Sequence, residues 1–211
     1  MSETVSKAQY EIYRQRDRYS AWPANYGMWA WGDELVLLFT SGYPDPEGGF
    51  HARDRSRPLS TMQARSFDGG ESWSVTEAPI PYGQGLGAHE HMNKSVIDAL
   101  EPVKFTTPTE LDFEHPDFAV MCGKTGLTRG AKSWFYTSVD RCQNWEGPFE
   151  IPTFDQLGIA ARTDWLVEGP SSALVLLTAT KPDGGEGRVF ASRTTDGGRN
   201  FEFISWVNES P

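Results

Sequence analysis

Chemistry-bearing side chains crowd one polar stretch, YPDPEGGFHARDRSRPLST at 43–61, which holds His51, Arg53, Asp54, Arg55 and Arg57. An imidazole titrates near neutral pH and passes a proton in either direction. Asp54 adds a second proton site three residues away, and Arg57 can grip an anion bidentately. Connections of this length commonly carry function; the alternative is a solvated loop of local ion pairs. Two more pairs stand at alternate positions of extended sequence. Arg162 and Asp164 in AARTDWL share one face of a strand, with Thr163 and Trp165 on the other. His115 and Asp117 in EHPDFAV repeat that arrangement. The candidate proton handlers are therefore His51, Asp54 and Asp164, and the candidate substrate contacts Arg57, His115, Asp117 and Arg162. His89 and His91 in AHEHMNK resemble half of a metal site, but no partner set with ligand spacing accompanies them, so neither metal nor cofactor is expected. Glu186, with Lys181 and Arg188 in TKPDGGEGRVF, could serve as an acid, although a surface hairpin is the simpler reading.

Strands must position these groups, and a repeated turn marks where they lie. ARSFDGGESWSV, TSVDRCQNWEG and SRTTDGGRNFEF each read Ser/Thr, any, Asp, any, Gly, any, any, aromatic. The repeated residues are Ser66, Asp68, Gly70 and Trp73; Ser138, Asp140 and Trp145; Thr194, Asp196, Gly198 and Phe201. An Asp carboxylate in such a turn accepts amide N–H bonds from the residues after it. The Ser or Thr hydroxyl adds a bond across the turn, and glycine permits the backbone. The aromatic falls on one side of the outgoing strand and can pack between neighbouring units. Cys142 replaces the glycine in the second copy, which predicts an altered turn there.

Extended sequence flanks every copy: STMQARS, KSWFYTS and GRVFASRT before, WSVTEAPI, EGPFEIP and FEFISWV after. Each copy therefore sits in a hairpin. Upstream lie YSAWPANYGMWAWG with DELVLLFTSG, and GIAARTDWLVEG with SALVLLTAT. The first and third units thus read as four antiparallel strands. The second offers HPDFAVMCG and a short neighbour near TGLTRGAK. SVIDALEPV, 95–103, is the one helical turn expected.

The 211 residues include 12 Phe, 8 Trp, 21 Gly and 14 Pro, a mixture that favours short strands and tight corners. A net charge of −10 disfavours nonspecific binding to nucleic acid or to an anionic membrane. Two cysteines, Cys122 and Cys142, provide no disulfide framework and are expected as buried thiols. MSETVSKAQYEIYRQRDR lacks an apolar core, so neither a signal peptide nor a membrane span is read. A cytoplasmic location is expected, or secretion if a leader precedes this sequence.

The octets SFDGGESW and TTDGGRNF, and the degenerate SVDRCQNW, resemble the Asp-boxes (BNR repeats) of the sialidase superfamily. The resemblance runs from about residue 19 to the end. It implies an all-β fold, a β-propeller of four-stranded antiparallel blades. About three are present, near 19–83, 84–153 and 154–211, after an N-terminal extension of 1–18. Propellers close with roughly four to eight blades. Three imply further C-terminal blades, pairing with a second copy, or an open arc. In that superfamily the boxes lie at the outer turn between third and fourth strands, away from the active site.

Sialidases carry Tyr-Arg-Ile-Pro on the first inner strand. Here YSAWPAN places Ala21 where that Arg belongs, with Arg16 and Arg18 out of register. Hydrolysis of sialosides is therefore not expected. Asp54 falls near the family's acid/base position. The resemblance implies a carbohydrate-active protein cleaving a glycosidic bond of an acidic or deoxy sugar, with Asp54 and either Asp164 or Asp117 as the carboxyl pair. Two alternatives stay open: a uronate lyase in which His or Tyr abstracts a proton, and a propeller that only binds glycans or proteins. The expected partner is a carbohydrate, not nucleic acid or membrane.

Overall fold

Alternating sequence on either side of three turns builds three antiparallel sheets. A computed structural model describes residues 9–81, 92–100 and 102–207. The first sheet contains β1 (Tyr19–Ala21), β2 (Met28–Trp31), β3 (Glu34–Gly42), β4 (Ser60–Ser66) and β5 (Ser74–Glu77). Both β1 and β2 pair with β3, Tyr19 opposite Gly42 and Met28 opposite Leu37. Together they form one inner strand interrupted by a single helical turn, α1 (Pro23–Tyr26). Pro23 at the first helical position has the φ that such a turn needs. Trp22 before it adopts left-handed backbone, φ 56°.

A short α2 (Lys94–Asp98) precedes the second sheet, which consists of β6 (Ala119–Lys124), β7 (Ser133–Ser138) and β8 (Glu146–Ile151). Among the described residues it has no inner strand, and TGLTRGAK is a connection between β6 and β7. The third sheet runs β9 (Ile159–Gly169), β10 (Ser172–Ala179), β11 (Arg188–Thr194) and β12 (Glu202–Trp206), paired in sequence order. The fold class is all-β, built of propeller blades.

The blades stack face to face with the second in the middle. Every residue of β6 and β7 is buried. Side chains alternate between faces along a strand. Met121, Trp134 and Tyr136 pack with Tyr26, Val36 and Leu38 of the first blade. Val120, Cys122 and Phe135 pack with Ile159, Val175, Leu177 and Phe190 of the third. That two-sided burial leaves β6 and β7 without the buried–exposed alternation of a one-sided strand. By contrast β10 buries every second residue. Tyr13 lies on Phe39, ring centroids 5.1 Å apart, and covers part of the first blade's other face.

Among the described residues, a side chain takes over at the edge of β6 where an inner strand would pair. Cys122 N–H donates to Thr163 Oγ1 of β9 at 3.0 Å. That hydroxyl donates in turn to the Asn25 carbonyl of α1 at 3.3 Å. One threonine thus ties the three blades together.

The three repeated turns share one set of bonds. Ser66, Ser138 and Thr194 donate to Oδ1 of Asp68, Asp140 and Asp196 at 2.7, 2.7 and 3.1 Å. The same hydroxyls accept the N–H of Gly70, Cys142 and Gly198 at 2.9, 2.9 and 3.0 Å. Ser72, Asn144 and Asn200 each give the carboxylate an amide bond and a side-chain bond. The sequence pattern leaves this seventh position open, yet all three copies fill it with a hydrogen-bonding residue.

The expectation of an altered second turn is corrected. Arg141 and Cys142 keep left-handed backbone, φ 56° and 63°, as the glycine pairs do. Left-handed backbone is costly for a residue with a Cβ. Burial of Cys142 and the ion pairs of Arg141 compensate. Trp145 meets Trp29 of the first blade at 5.6 Å, and Phe201 meets Phe135 of the second at 5.8 Å. Trp73 instead turns its indole N–H to the Gly70 carbonyl at 2.9 Å.

Candidate functional site

Strand direction sorts the candidate residues between two ends of the stack. One end carries the Asp-box turns; the other carries the β3–β4, β6–β7 and β10–β11 connections.

His115 and Asp117 precede β6 and lie at the Asp-box end. His115 Nδ1 accepts the Asp117 N–H at 3.2 Å. Asp117 receives Arg141 Nε at 2.5 Å, and Arg141 Nη1 reaches Glu34 at 3.0 Å. Glu34 also pairs with Arg65, whose Nη2 donates to the Arg141 carbonyl at 2.6 Å. This ladder floors a cleft of about 650 Å³ between the first and second blades. Its charges are already matched to one another. Arg193 pairs with Glu168 at the corresponding place in the third blade, 2.9 Å. An Arg immediately before the Ser/Thr of a box, paired to a Glu of the neighbouring hairpin, is thus a repeated structural device. Thr137 holds that position in the middle blade, and Arg141 reaches across instead.

His51, Asp54 and Arg57 lie at the opposite end in the β3–β4 connection. That segment folds back on itself: Asp45 N–H bonds to Ala52 O and Asp54 N–H to Tyr43 O, each at 2.9 Å. His51 meets the Trp22 indole edge-on at 5.3 Å, and Tyr19 meets it at 5.7 Å. Arg53, buried, lies 6.0 Å from the same ring. Burial pushes the Tyr19 phenol upward against the opposing charge of Arg53. Asp54 accepts the hydroxyl and amide of Ser56 at 2.6 and 2.8 Å. Those bonds, with Arg57 nearby, hold its carboxyl below the usual range, so it stays ionised. Arg57 lies 3.0 Å and Arg18 4.2 Å from the centre of the Tyr43 ring.

Arg162 projects from β9 and pairs with Glu186 of the β10–β11 connection at 3.1 Å, while Asp164 is exposed. His89 and His91 lie outside the described residues. Among the described residues, no group of three or more His, Cys, Asp or Glu side chains is placed to hold a metal ion, and no helix is long and apolar enough to cross a membrane. Cys122 and Cys142 are buried free thiols; burial raises Cys122 to about 11 and pushes Cys142 up as well.

Sequence reasoning set Arg18 aside as out of register and passed over Tyr19, Trp22 and Tyr43. Trp22-Pro23, a bulky residue before a helix-starting proline, was the available signal for the break that turns the indole toward His51. Tyr43 had none, because its partners come from both sides of the chain.

No family model matches the sequence, and no curated protein does. Solved structures do resemble the fold. A protein described as of unknown function from Dyadobacter fermentans DSM 18053 aligns over 94% of this chain with a TM-score of 0.58 at 15% identity. An ulvan lyase of polysaccharide lyase family PL25 aligns over 93% of this chain with a TM-score of 0.44 at 16% identity. A GH74 xyloglucanase from Xanthomonas campestris aligns over 85%, with a TM-score of 0.37 at 14% identity. This chain spans 58%, 45% and 22% of those three chains, respectively. The first of these likenesses is one of fold.

Proposed function

We propose that this chain is the ligand-binding portion of a carbohydrate-active, sialidase-like propeller that cleaves a glycosidic bond of an acidic or deoxy sugar. The observation that carries this reading is the gathering of Tyr19, His51 and Arg53 around the Trp22 indole, away from the Asp-box turns. An indole offers an apolar face for a sugar ring. A guanidinium beside it suits a carboxylate, and an imidazole supplies or takes the proton. Hydrolysis needs two carboxyl groups flanking the bond. Asp54, held ionised, is the candidate base or nucleophile. Asp164 on the inner strand β9 is the candidate second carboxyl, and Arg162 a further contact to the anionic group.

One observation favours a lyase as the second reading. Tyr19, kept protonated by burial, lies within the electrostatic reach of Arg53. In that chemistry His51 removes the proton beside a uronate carboxylate, Arg53 stabilises the enolate, and the Tyr19 hydroxyl protonates the leaving oxygen.

Incubation with uronate, sialic-acid and deoxy-sugar substrates separates the readings. A hydrolase releases reducing ends alone. A lyase releases them together with an ultraviolet-absorbing unsaturated uronate. Sialosides are expected to survive, since Ala21 offers no guanidinium. Loss of binding or cleavage in Trp22→Ala and His51→Ala is the expected result. Unchanged binding and turnover in both variants removes the reading.

A further inference from the structure

We propose that Arg18, Tyr43 and Arg57 form an oxyanion subsite outside the Trp22 cluster, which takes a sulfate ester or carboxylate on an extended acidic polysaccharide. The inference rests on the carbohydrate reading of this end of the molecule and adds the polymeric, polyanionic character of the ligand.

The first argument is charge. Two guanidinium groups are gathered on one phenol ring, at 3.0 and 4.2 Å from its centre. The ring quadrupole attracts each cation, but the cations repel one another. Neither guanidinium has a hydrogen-bonded or ion-paired partner among the described residues. Other arginines are matched: Arg14 by Glu11, Arg16 by Asp17 and Arg162 by Glu186. Asp54, the carboxylate that acts on Arg57, already spends its Oδ1 on Ser56. The planar N–H forks therefore remain open to a ligand with paired oxygens.

The second argument is place. Arg18 lines a cleft of about 370 Å³ together with Tyr13, Ser41, Ser60 and Glu77. Tyr13 covers the first blade's face away from the second blade, so this cleft opens on the outer flank. Trp22 packs on the inner side, against Leu59, Met92 and α2. A ligand that reaches both spans the two sides of the first blade, as an extended polymer can. The chain's net charge of −10 repels polyanions at long range, so a local cationic pair is required to hold one.

The test measures affinity of the full chain for three polymers: chondroitin sulfate, hyaluronan and neutral dextran, each at low and at physiological salt. Binding of at least one acidic polymer, weakened by salt, and none of dextran is expected. Chondroitin sulfate alone identifies the sulfate ester as the bound group; hyaluronan as well identifies the carboxylate. Each charge-assisted bond lost from Arg18→Gln or Arg57→Gln should weaken binding about tenfold, and the double variant should abolish salt sensitivity. Arg14→Gln should bind as wild type does. Matched thermal melting curves show that the variants fold. Failure of the wild type to bind either acidic polymer overturns the proposal, and so does undiminished binding by the double variant. Trp22→Ala keeps the two readings separate: if it alone abolishes binding, the carbohydrate site stands and this subsite falls.

Discussion

Replacing Thr163 by valine removes one hydroxyl from the point where three blades meet. The Cys122 amide belongs to the open edge of β6 and has Thr163 Oγ1 as its acceptor at 3.0 Å. Leaving such a donor without a partner in a part-buried place costs about 1–3 kcal/mol. The lost bond to the Asn25 carbonyl, long at 3.3 Å, adds little. The new methyl recovers a fraction through apolar contact, so the net loss is about 1–2 kcal/mol. In a chain of this size each 1 kcal/mol lowers Tm by about 2–4 °C. Urea titration followed by tryptophan fluorescence should show a lower midpoint at unchanged slope. Hydrogen exchange should show the Cys122 amide less protected, and Thr163→Ser should restore both. A Thr163→Val protein as stable as wild type, with that amide equally protected, refutes the claim that this side chain satisfies the edge of β6.

Arg141→Gly should be more stable than Arg141→Ala, reversing the usual order, because both lose the ion pairs but only glycine relieves a φ of 56°; urea midpoints decide it. Gly197→Ala should destabilise more than Gly69→Ala in thermal melting. Both glycines are left-handed, but a Cβ at 197 lies 2.5 Å from the Leu111 amide nitrogen, whereas one at 69 meets only Asp33 at 3.9 Å. Asp68, held to about 2 by Ser72 and Ser66, contributes stability that is present above its ordinary 3.8 and is lost as pH falls through about 2. Asp68→Asn should therefore weaken the protein at neutral pH and flatten the acid limb between about pH 4 and 2, measured by urea titration at each pH.

Within the Asp-boxes, each carboxylate bonds to groups no more than four residues away, so the local sequence carries nearly everything the turn needs. The third blade followed from alternation, with its first two strands parted at Gly169-Pro170. The second turn did not, because glycine's absence was read as a change of backbone. Neighbouring blades in fact hold the left-handed form through buried Cys142 and the reach of Arg141 to Glu34. His115 and Asp117 were grouped with Arg162 and Asp164 on strand spacing. Spacing says which residues share a face, not which end of a sheet they occupy.

The sequence by itself determined the class of fold: acid-stitched turns and period-two strands are consequences of short-range bonding and of which side chains avoid water. Only the tertiary structure decided where the chemistry gathers. Tyr43 meets Arg18 and Arg57, and Trp22 meets His51 and Arg53, because an inner strand breaks at Pro23 and a long connection folds back over it. Contacts of that kind depend on how whole blades stack, and no local propensity encodes them.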